Sequence, residues 1–464
     1  MMSVNSAAME SGKLVRGVDL RGATAINVIS MIGIGPLITI PLVLGYLHGP
    51  FSIAGWLIGA GIALCDGLVW AELGALYPSS GGTYGYLREI FGRDSLGRFL
   101  AFLFVWQIIF AAPLLQASGY IGFAHYAAYL FPGLASSAWQ MQALAIIVGV
   151  VTLFALYRGI AAVSRASVWL GACALVTLLC VIAASYAHFN AVQAFAVPVH
   201  DSFWEGMRAG LGQALIVALY DYMGYNQSSC VGGEVRDPAR TIPRSILISI
   251  LLVAILYVTM QVGILGAIPW QSIIPDAAGN LPAAGNYVAS IVVEHAFGVT
   301  AAGIVTVLIL ITAFASVYGN LLGFSRIPYA AAEDGVFLKP FAHVHGRMRF
   351  PDVSLVVIGI LALPACLLSL QDVINALTTG LILIQSVAQI FALFALRTRR
   401  IRSPYRMWLF PVPAILALGG WLYLFQAAGK PAIVFGIVSL GCGAVVFLVR
   451  AMIQKEWPFR ELAA

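Results

Sequence analysis

The sequence predicts an all-α membrane protein with twelve transmembrane helices, on three observations. Of 464 residues, 61% are hydrophobic and 9% charged, with a mean hydropathy of +0.93. Soluble domains carry about 25% charged residues, so a chain this long lacks the polar surface that a water-exposed fold needs. Twelve stretches are apolar over lengths near the ~20 residues that fit a bilayer core: 22–46, 51–76, 97–125, 139–157, 165–187, 206–230, 244–268, 288–318, 353–370, 373–396, 407–427 and 431–453. The third observation is sidedness. With an even number of spans and the N-terminus inside, 23 of the 25 Lys and Arg fall on inner segments, and only Arg208 and Lys430 do not. Positive residues resist translocation, and a miscounted span would scramble this alternation.

Along the chain, residues 1–21 are polar and mixed and carry Lys13, Arg16 and Arg21. They lack the apolar core and cleavage site of a signal peptide and are expected to be a cytoplasmic segment. The inner loops then carry Arg88, Arg93 and Arg98; Arg158 and Arg165; Arg236, Arg240 and Arg244; Arg326, Lys339, Arg347 and Arg349; and Arg397, Arg399, Arg400, Arg402 and Arg406. Arg450, Lys455 and Arg460 mark the last inner end, with 454–464 as a cytoplasmic tail. These basic residues sit at lipid head groups, which accounts for a pI of 9.0 without nucleic acid. No linker separates soluble domains, so 22–453 is expected to be a single membrane domain. Cys65, Cys173, Cys180, Cys230, Cys366 and Cys442 form no CxxC pair. They read as small packing residues, not as a zinc site or a disulfide framework.

Span 1 contains "NVISMIGIGPLITIPLVLGY", with Gly33, Ile34, Gly35 and Pro36 at its centre and Pro41 beyond. Glycine permits unusual dihedrals, and proline removes a donor and stops a helix. Span 6 has a second polar interruption, "ALYDYMGYNQSSCVGGE" at 218–234. These are the first spans of two five-span halves, 22–187 and 206–396, with extra helices at 407–453. An odd number of spans per half makes the second half enter from the opposite side, as in an inverted repeat with discontinuous helices. Broken backbone at membrane depth is tolerated only inside protein or along a cavity. Amides at a half-helix N-terminus suit a carboxylate, and carbonyls at a half-helix C-terminus suit an ammonium. Two matched breaks therefore point to a binding site for a zwitterion or an organic amine.

The motifs around these spans resemble those of the amino acid–polyamine–organocation transporter superfamily. "GIGPLITIP" resembles that family's glycine-serine-glycine break, with Ile34 in place of the serine. "AELGALYPSSGGTYGYLREIFG" at 71–92 is similar to its signature after span 2. "GGEVRDPARTIPRSI" at 232–246 is similar to the signature after span 6, with Asp237 for an asparagine. "SRIPYAAAEDGVFLKPFAHVHGRMRFP" at 325–351 resembles the loop after span 8. The form of these motifs leans toward L-type amino acid permeases and plant-like polyamine uptake permeases. The resemblance implies a LeuT-type five-plus-five inverted repeat with spans 1 and 6 broken. It implies a cell-membrane permease for amino acids or related organic amines, working by alternating access without a cofactor.

By that resemblance, Met31, Gly33, Ile34 and Gly35 of span 1 and Tyr220, Asp221, Met223 and Gly224 of span 6 line the substrate site. Tyr220 is the aromatic lid, and the Met223 carbonyl is an amine ligand. Gln107, aligned through the motif before span 3, falls where the family lines its pocket. Asp221 is also a candidate from its own chemistry, since an intramembrane acid is expensive and usually functional; the alternative is a helix-end acid paired with a hydroxyl. Asp66 is a second intramembrane acid, as well suited to a structural bond between helices as to carrying a proton. Glu72 and Glu234 lie near inner span ends and are expected to pair with arginines as gates or struts. Sodium sites of the fold use span 1 carbonyls and span 8 hydroxyls, where Thr312 and Ser316 are available. The span 5 lysine of some sodium-independent relatives is missing from this chain. Asp66 and Asp221 favour a proton, with plain exchange open. His343 and His345 sit in a basic loop without the ligand set of a metal site. The alternatives to an amino acid permease are a polyamine permease, a non-transporting receptor and an intramembrane enzyme. The last would need a nucleophile–base or metal cluster, which the sequence does not show.

Overall fold

The computed structural model describes residues 16–78, 81–197, 203–274, 282–346 and 350–459, with the backbone only at 136, 158–170, 203, 205, 206 and 283. Lys13, Arg347, Arg349 and Arg460 lie outside them, as do residues 1–15 of the N-terminal segment and 460–464 of the C-terminal one. Among the described residues the chain is helical, with one parallel bridge between Val18 and Val235 and no strand. The helices that build the core and the site are α1 (Leu20–Met31), α2 (Gly35–Leu47), α3 (Ser52–Leu76), α4 (Thr83–Phe91), α5 (Leu96–Leu130), α6 (Ala138–Ala187), α7 (Phe203–Tyr222), α8 (Gln227–Cys230), α9 (Pro238–Ala267), α10 (Val288–Phe297), α11 (Val299–Glu333), α12 (Asp352–Ala365), α13 (Leu370–Leu381), α14 (Gln389–Thr398), α15 (Val412–Ala427) and α16 (Lys430–Gln454). A π-helical turn, Ile382–Ala388, joins α13 to α14.

Seven described helices are long and apolar enough to cross a membrane, or eight when the bent pair α1–α2 counts as one. This is fewer than the twelve expected from sequence. Several expected spans are short helices: α12 has 14 residues and α15 has 16. At 1.5 Å per residue they reach only about 21–24 Å, less than a ~30 Å core. Two expected boundaries also differ. Spans 4 and 5 lie in one helical run, Ala138–Ala187, where a loop was expected near 158–165. The expected span at 288–318 is split at Gly298, whose φ of 83° ends α10 through a bond from its N–H to the Glu294 carbonyl. The long helix α11 begins there and runs to Glu333.

Lipid tails are as apolar as leucine, so close packing and interhelical hydrogen bonds, each about 0.6–2 kcal/mol, hold such helices together. α3 packs along α9, and Gly67 makes that approach possible: a Cβ there would lie 2.8 Å from Ile250. α5 packs along α11, α2 along α7, and α1 along α9. Apolar residues remain exposed at helical spacing on α9 (Ile248, Leu251, Leu252, Ile255) and α16 (Val434, Ile437, Val438, Val445). Those stripes are the faces that suit lipid.

Candidate substrate site

The site is built where two helices stop. α1 ends at Met31 and α2 starts at Gly35, bent by 54°. Pro36 fits the first turn of α2, where its missing N–H is harmless. Pro41 deprives the Leu37 carbonyl of its helical donor. The Tyr126 hydroxyl of α5 donates to that carbonyl at 2.8 Å and accepts from the Ala289 N–H of α10. The second break follows α7: Gly224 has φ 116° and α8 starts at Gln227. A Cβ on Gly224 would press on the backbone of Ser30 at 2.8–2.9 Å, so the position needs glycine for both conformation and approach.

The two breaks are tied to each other. Asn27 of α1 accepts from the Ser228 N–H of α8 at 2.7 Å and donates to the Ser228 hydroxyl at 3.2 Å. The bridge from Val18 to Val235 fixes the start of α1 to the stretch after α8. The Tyr257 hydroxyl of α9 faces the carbonyl of Met31 at 2.8 Å and that of Asp221 at 3.2 Å. The C-terminal ends of α1 and α7, both partially negative, thus converge on one phenol.

Asp221 is buried at 3% exposure. Thr39 of α2 donates to its Oδ2 at 2.5 Å, and Oδ1 has no hydrogen-bond partner. That free oxygen occupies the space that a Cβ on Gly35 would take, with the Tyr220 ring beside it. The Tyr220 hydroxyl meets Ser118 of α5 at 2.8 Å. Met31, Gly33, Ile34, Gly35, Tyr220, Asp221, Met223 and Gly224 therefore gather around the breaks. Gln107 is elsewhere. It lies eleven residues before Ser118 on α5, about 16 Å along the axis on nearly the same face. It is buried, with neither amide atom partnered.

The other candidates separate as well. Ser316 of α11 faces the break, 2.9 Å from a would-be Cβ on Gly33. Thr312 turns toward α6, near Thr177 at 3.3 Å and Cys173. Asp66 of α3 accepts from Tyr225, in the second break, at 2.6 Å and from Trp421 of α15 at 3.0 Å. Glu72 is fully buried, 2.6 Å from Arg397, and accepts from the Met407 N–H at 2.8 Å. Glu234 is exposed, and no ion pair involves it among the described residues. Its carbonyl accepts from Val18 instead.

Beyond the helical core, Arg88 of α4 pairs with Asp334 at 2.7 Å, and Tyr84 donates to the same carboxylate. Burial, and then the Asp334 charge, push the Tyr84 phenol well above its usual range. His343 stands 2.7 Å from Asp352.

Five side chains at the breaks were not expected from sequence: Asn27, Thr39, Ser118, Tyr126 and Tyr257. A signal exists for two of them. Thr39 falls one turn after Gly35, on the same face, and Pro41 requires a donor such as Tyr126 for the carbonyl it strands.

Residues 19–453 match the amino acid permease family. The chain is 26% identical over 430 residues to the serine/threonine exchanger SteT of Bacillus subtilis, covering 89% of this chain and 91% of that protein. It is 28% identical to cationic amino acid transporter 4 of Mus musculus, over 82% of this chain but only 59% of that longer protein. It is 27% identical to an aspartate-proton symporter of Bacillus subtilis, over 66% of this chain and 58% of that protein.

Proposed function

The chain belongs to the amino acid permease family, and on that premise we propose that it is a secondary transporter for an amino acid or a related organic amine. It works by alternating access in the cell membrane, with twelve spans, a LeuT-type inverted repeat and both termini cytoplasmic. The observation that carries this reading is the convergence of two half-helix ends, at Met31 and Asp221, on the Tyr257 hydroxyl. A simple proline kink would leave one bent helix, whereas here two breaks share one point.

Packing supports the repeat. α2 lies along α7, α3 along α9, and α5 along α11. In the twelve-span numbering these are spans 1 with 6, 2 with 7, and 3 with 8, the pairs that a two-fold axis would bring together. Access is supported by an asymmetry about the breaks. On the outer side of the proposed topology, Tyr220–Ser118, Tyr126–Leu37 and Gln371–Gln213 contacts close the way. On the inner side Ser30, Gly319 and Gly323 are exposed, and no atom lies within 4 Å of a would-be Cβ on either glycine. That arrangement fits an inward-facing state.

Coupling to protons is the reading that two buried aspartates favour, and one relative is named a proton symporter. The deciding experiment is uptake into proteoliposomes with and without an inward pH gradient, set against counterflow at equal pH. Counterflow without gradient-driven accumulation rejects coupling, and the loss of both rejects transport. Topology is checked separately. Cysteines placed at Ser3 and Glu461 should stay unlabelled by an impermeant reagent outside intact cells, and labelling at either removes the twelve-span arrangement.

A further inference from the structure

The corner where α16 ends carries positive charge that no described carboxylate balances. Arg450, in the last turn of α16, donates to the Gly335 carbonyl at 2.5 Å and to the Val336 carbonyl at 2.6 Å. These acceptors are neutral, so the bonds hold the stretch after α11 without cancelling the cation. The acids bonded into this corner are already engaged: Glu456 lies 2.7 Å from Arg98, and Asp334 lies 2.7 Å from Arg88. Lys339 is exposed, and neither it nor Arg450 forms an ion pair among the described residues.

Both cations line one groove of about 370 Å³, between the end of α16 and residues 338–340. Most of the remaining wall is apolar, with Leu338 and Pro340 on one side and Val445, Val449 and Ile453 on the other. Those last three are exposed and continue the lipid-suited stripe of α16. Depth follows from the helix itself. Arg450 lies about 30 Å along the axis from Lys430, where α16 starts, and that is the thickness of a hydrocarbon core. In the proposed topology Arg450 therefore stands at the inner head-group level, with Val445 and Val449 on its core side. A guanidinium has five N–H donors, so the two bonds to carbonyls leave three for a further acceptor.

We propose that this groove is a site for an anionic phospholipid of the inner leaflet. The phosphate sits between Lys339 and Arg450, and an acyl chain lies along Val445 and Val449. A soluble anion would leave the apolar wall bare, and a zwitterionic lipid would bring a cation of its own to two cations. Basic pockets on the cytoplasmic side suit anionic head groups for this reason. The bound lipid ties α16 to the stretch after α11 through the same Arg450 that already joins them. The site shares no residue with the helix breaks. Its side of the membrane follows from the proposed topology, which the cysteine labelling checks independently.

The test uses the full-length protein, stripped of lipid in detergent, and thermal-shift titration with dioleoyl phosphatidylglycerol, dioleoyl phosphatidylcholine and inorganic phosphate. Phosphatidylglycerol should raise the unfolding midpoint at concentrations about tenfold below those that phosphatidylcholine needs. Inorganic phosphate should give no shift. Lys339→Gln should weaken phosphatidylglycerol about fivefold, while Lys430→Gln, at the outer end of the same helix, should leave it unchanged. Val449→Trp fills the apolar half of the groove without altering charge, and it should weaken the lipid by a similar factor. Each variant is first checked for a monodisperse product. Equal response to the two lipids, or to phosphatidylglycerol and inorganic phosphate, overturns the proposal. So does a fivefold loss from Lys430→Gln, or unchanged affinity in either Lys339→Gln or Val449→Trp, since acidic lipid would then be drawn to the basic protein at large and not to this groove.

Discussion

Asp66 and Asp221 are both aspartates buried among helices, at 1% and 3% exposure, but their oxygens are used differently. Both oxygens of Asp66 have donors, Tyr225 on one and Trp421 on the other. It joins α3, the second break and α15, and its acceptor capacity serves the fold. Asp221 accepts one bond, from Thr39, and keeps a free oxygen at the first break. Burial alone therefore does not separate the two acids; their hydrogen bonds do, since both oxygens of Asp66 have partners and one oxygen of Asp221 has none among the described residues.

The largest effect should come from the neighbour that gives Asp221 its room. Gly35→Leu would drive a side chain into Asp221 and Tyr220. Binding should fall more than about a hundredfold, roughly 3 kcal/mol, in a protein that still expresses and stays monodisperse. Uptake that survives would detach the free oxygen from the substrate site. Next is Asp221→Asn. The amide can still accept from Thr39, so the thermal midpoint should hardly move. Affinity for an ammonium should drop by about 2–4 kcal/mol if the acid touches it. If the acid only carries the proton, binding should persist, and pH-driven accumulation should vanish while counterflow remains.

Asp66→Asn should show the opposite pattern. An amide offers one acceptor to two donors, leaving the Tyr225 or the Trp421 donor unmet at a cost of about 1–3 kcal/mol. That should appear as a lower unfolding midpoint in detergent, with affinity changed less than by Asp221→Asn. Should Asp66→Asn instead keep its midpoint and lose gradient-driven uptake, the two acids would exchange roles. The smallest change should come from Thr39→Val, about 1 kcal/mol, which removes the donor that Asp221 has among the described residues. A rise in ammonium affinity would accompany it if the carboxylate is freed for the ligand, and no change at all would show that Thr39 does not tune the site.

Much of the fold was legible because membrane helices announce themselves locally. Apolar runs mark the helical core, and the cluster of Gly33, Gly35 and Pro36 marks a break because the proline lacks the N–H needed to continue the preceding helix. Gly224 does the same in the second break. The region between α10 and α11 was harder, since Gly298 sits in an apolar run that hydropathy cannot divide. The inner acids were only partly legible: Glu72 does meet an arginine, whereas Glu234 lends its backbone to Val18 and leaves its side chain exposed.

By itself, then, the sequence determined the helical membrane class, the family motifs and the positions of both breaks, because these depend on residues within a few turns of one another. Only the tertiary structure decided that Tyr257 meets both half-helix ends, that Tyr126 supplies a donor to the carbonyl stranded by Pro41, and that both oxygens of Asp66 are partnered while one of Asp221 is not. Each of those facts joins residues from different helices. Their meeting depends on how each helix is rotated and shifted against its neighbour, and that is fixed by packing across the whole bundle.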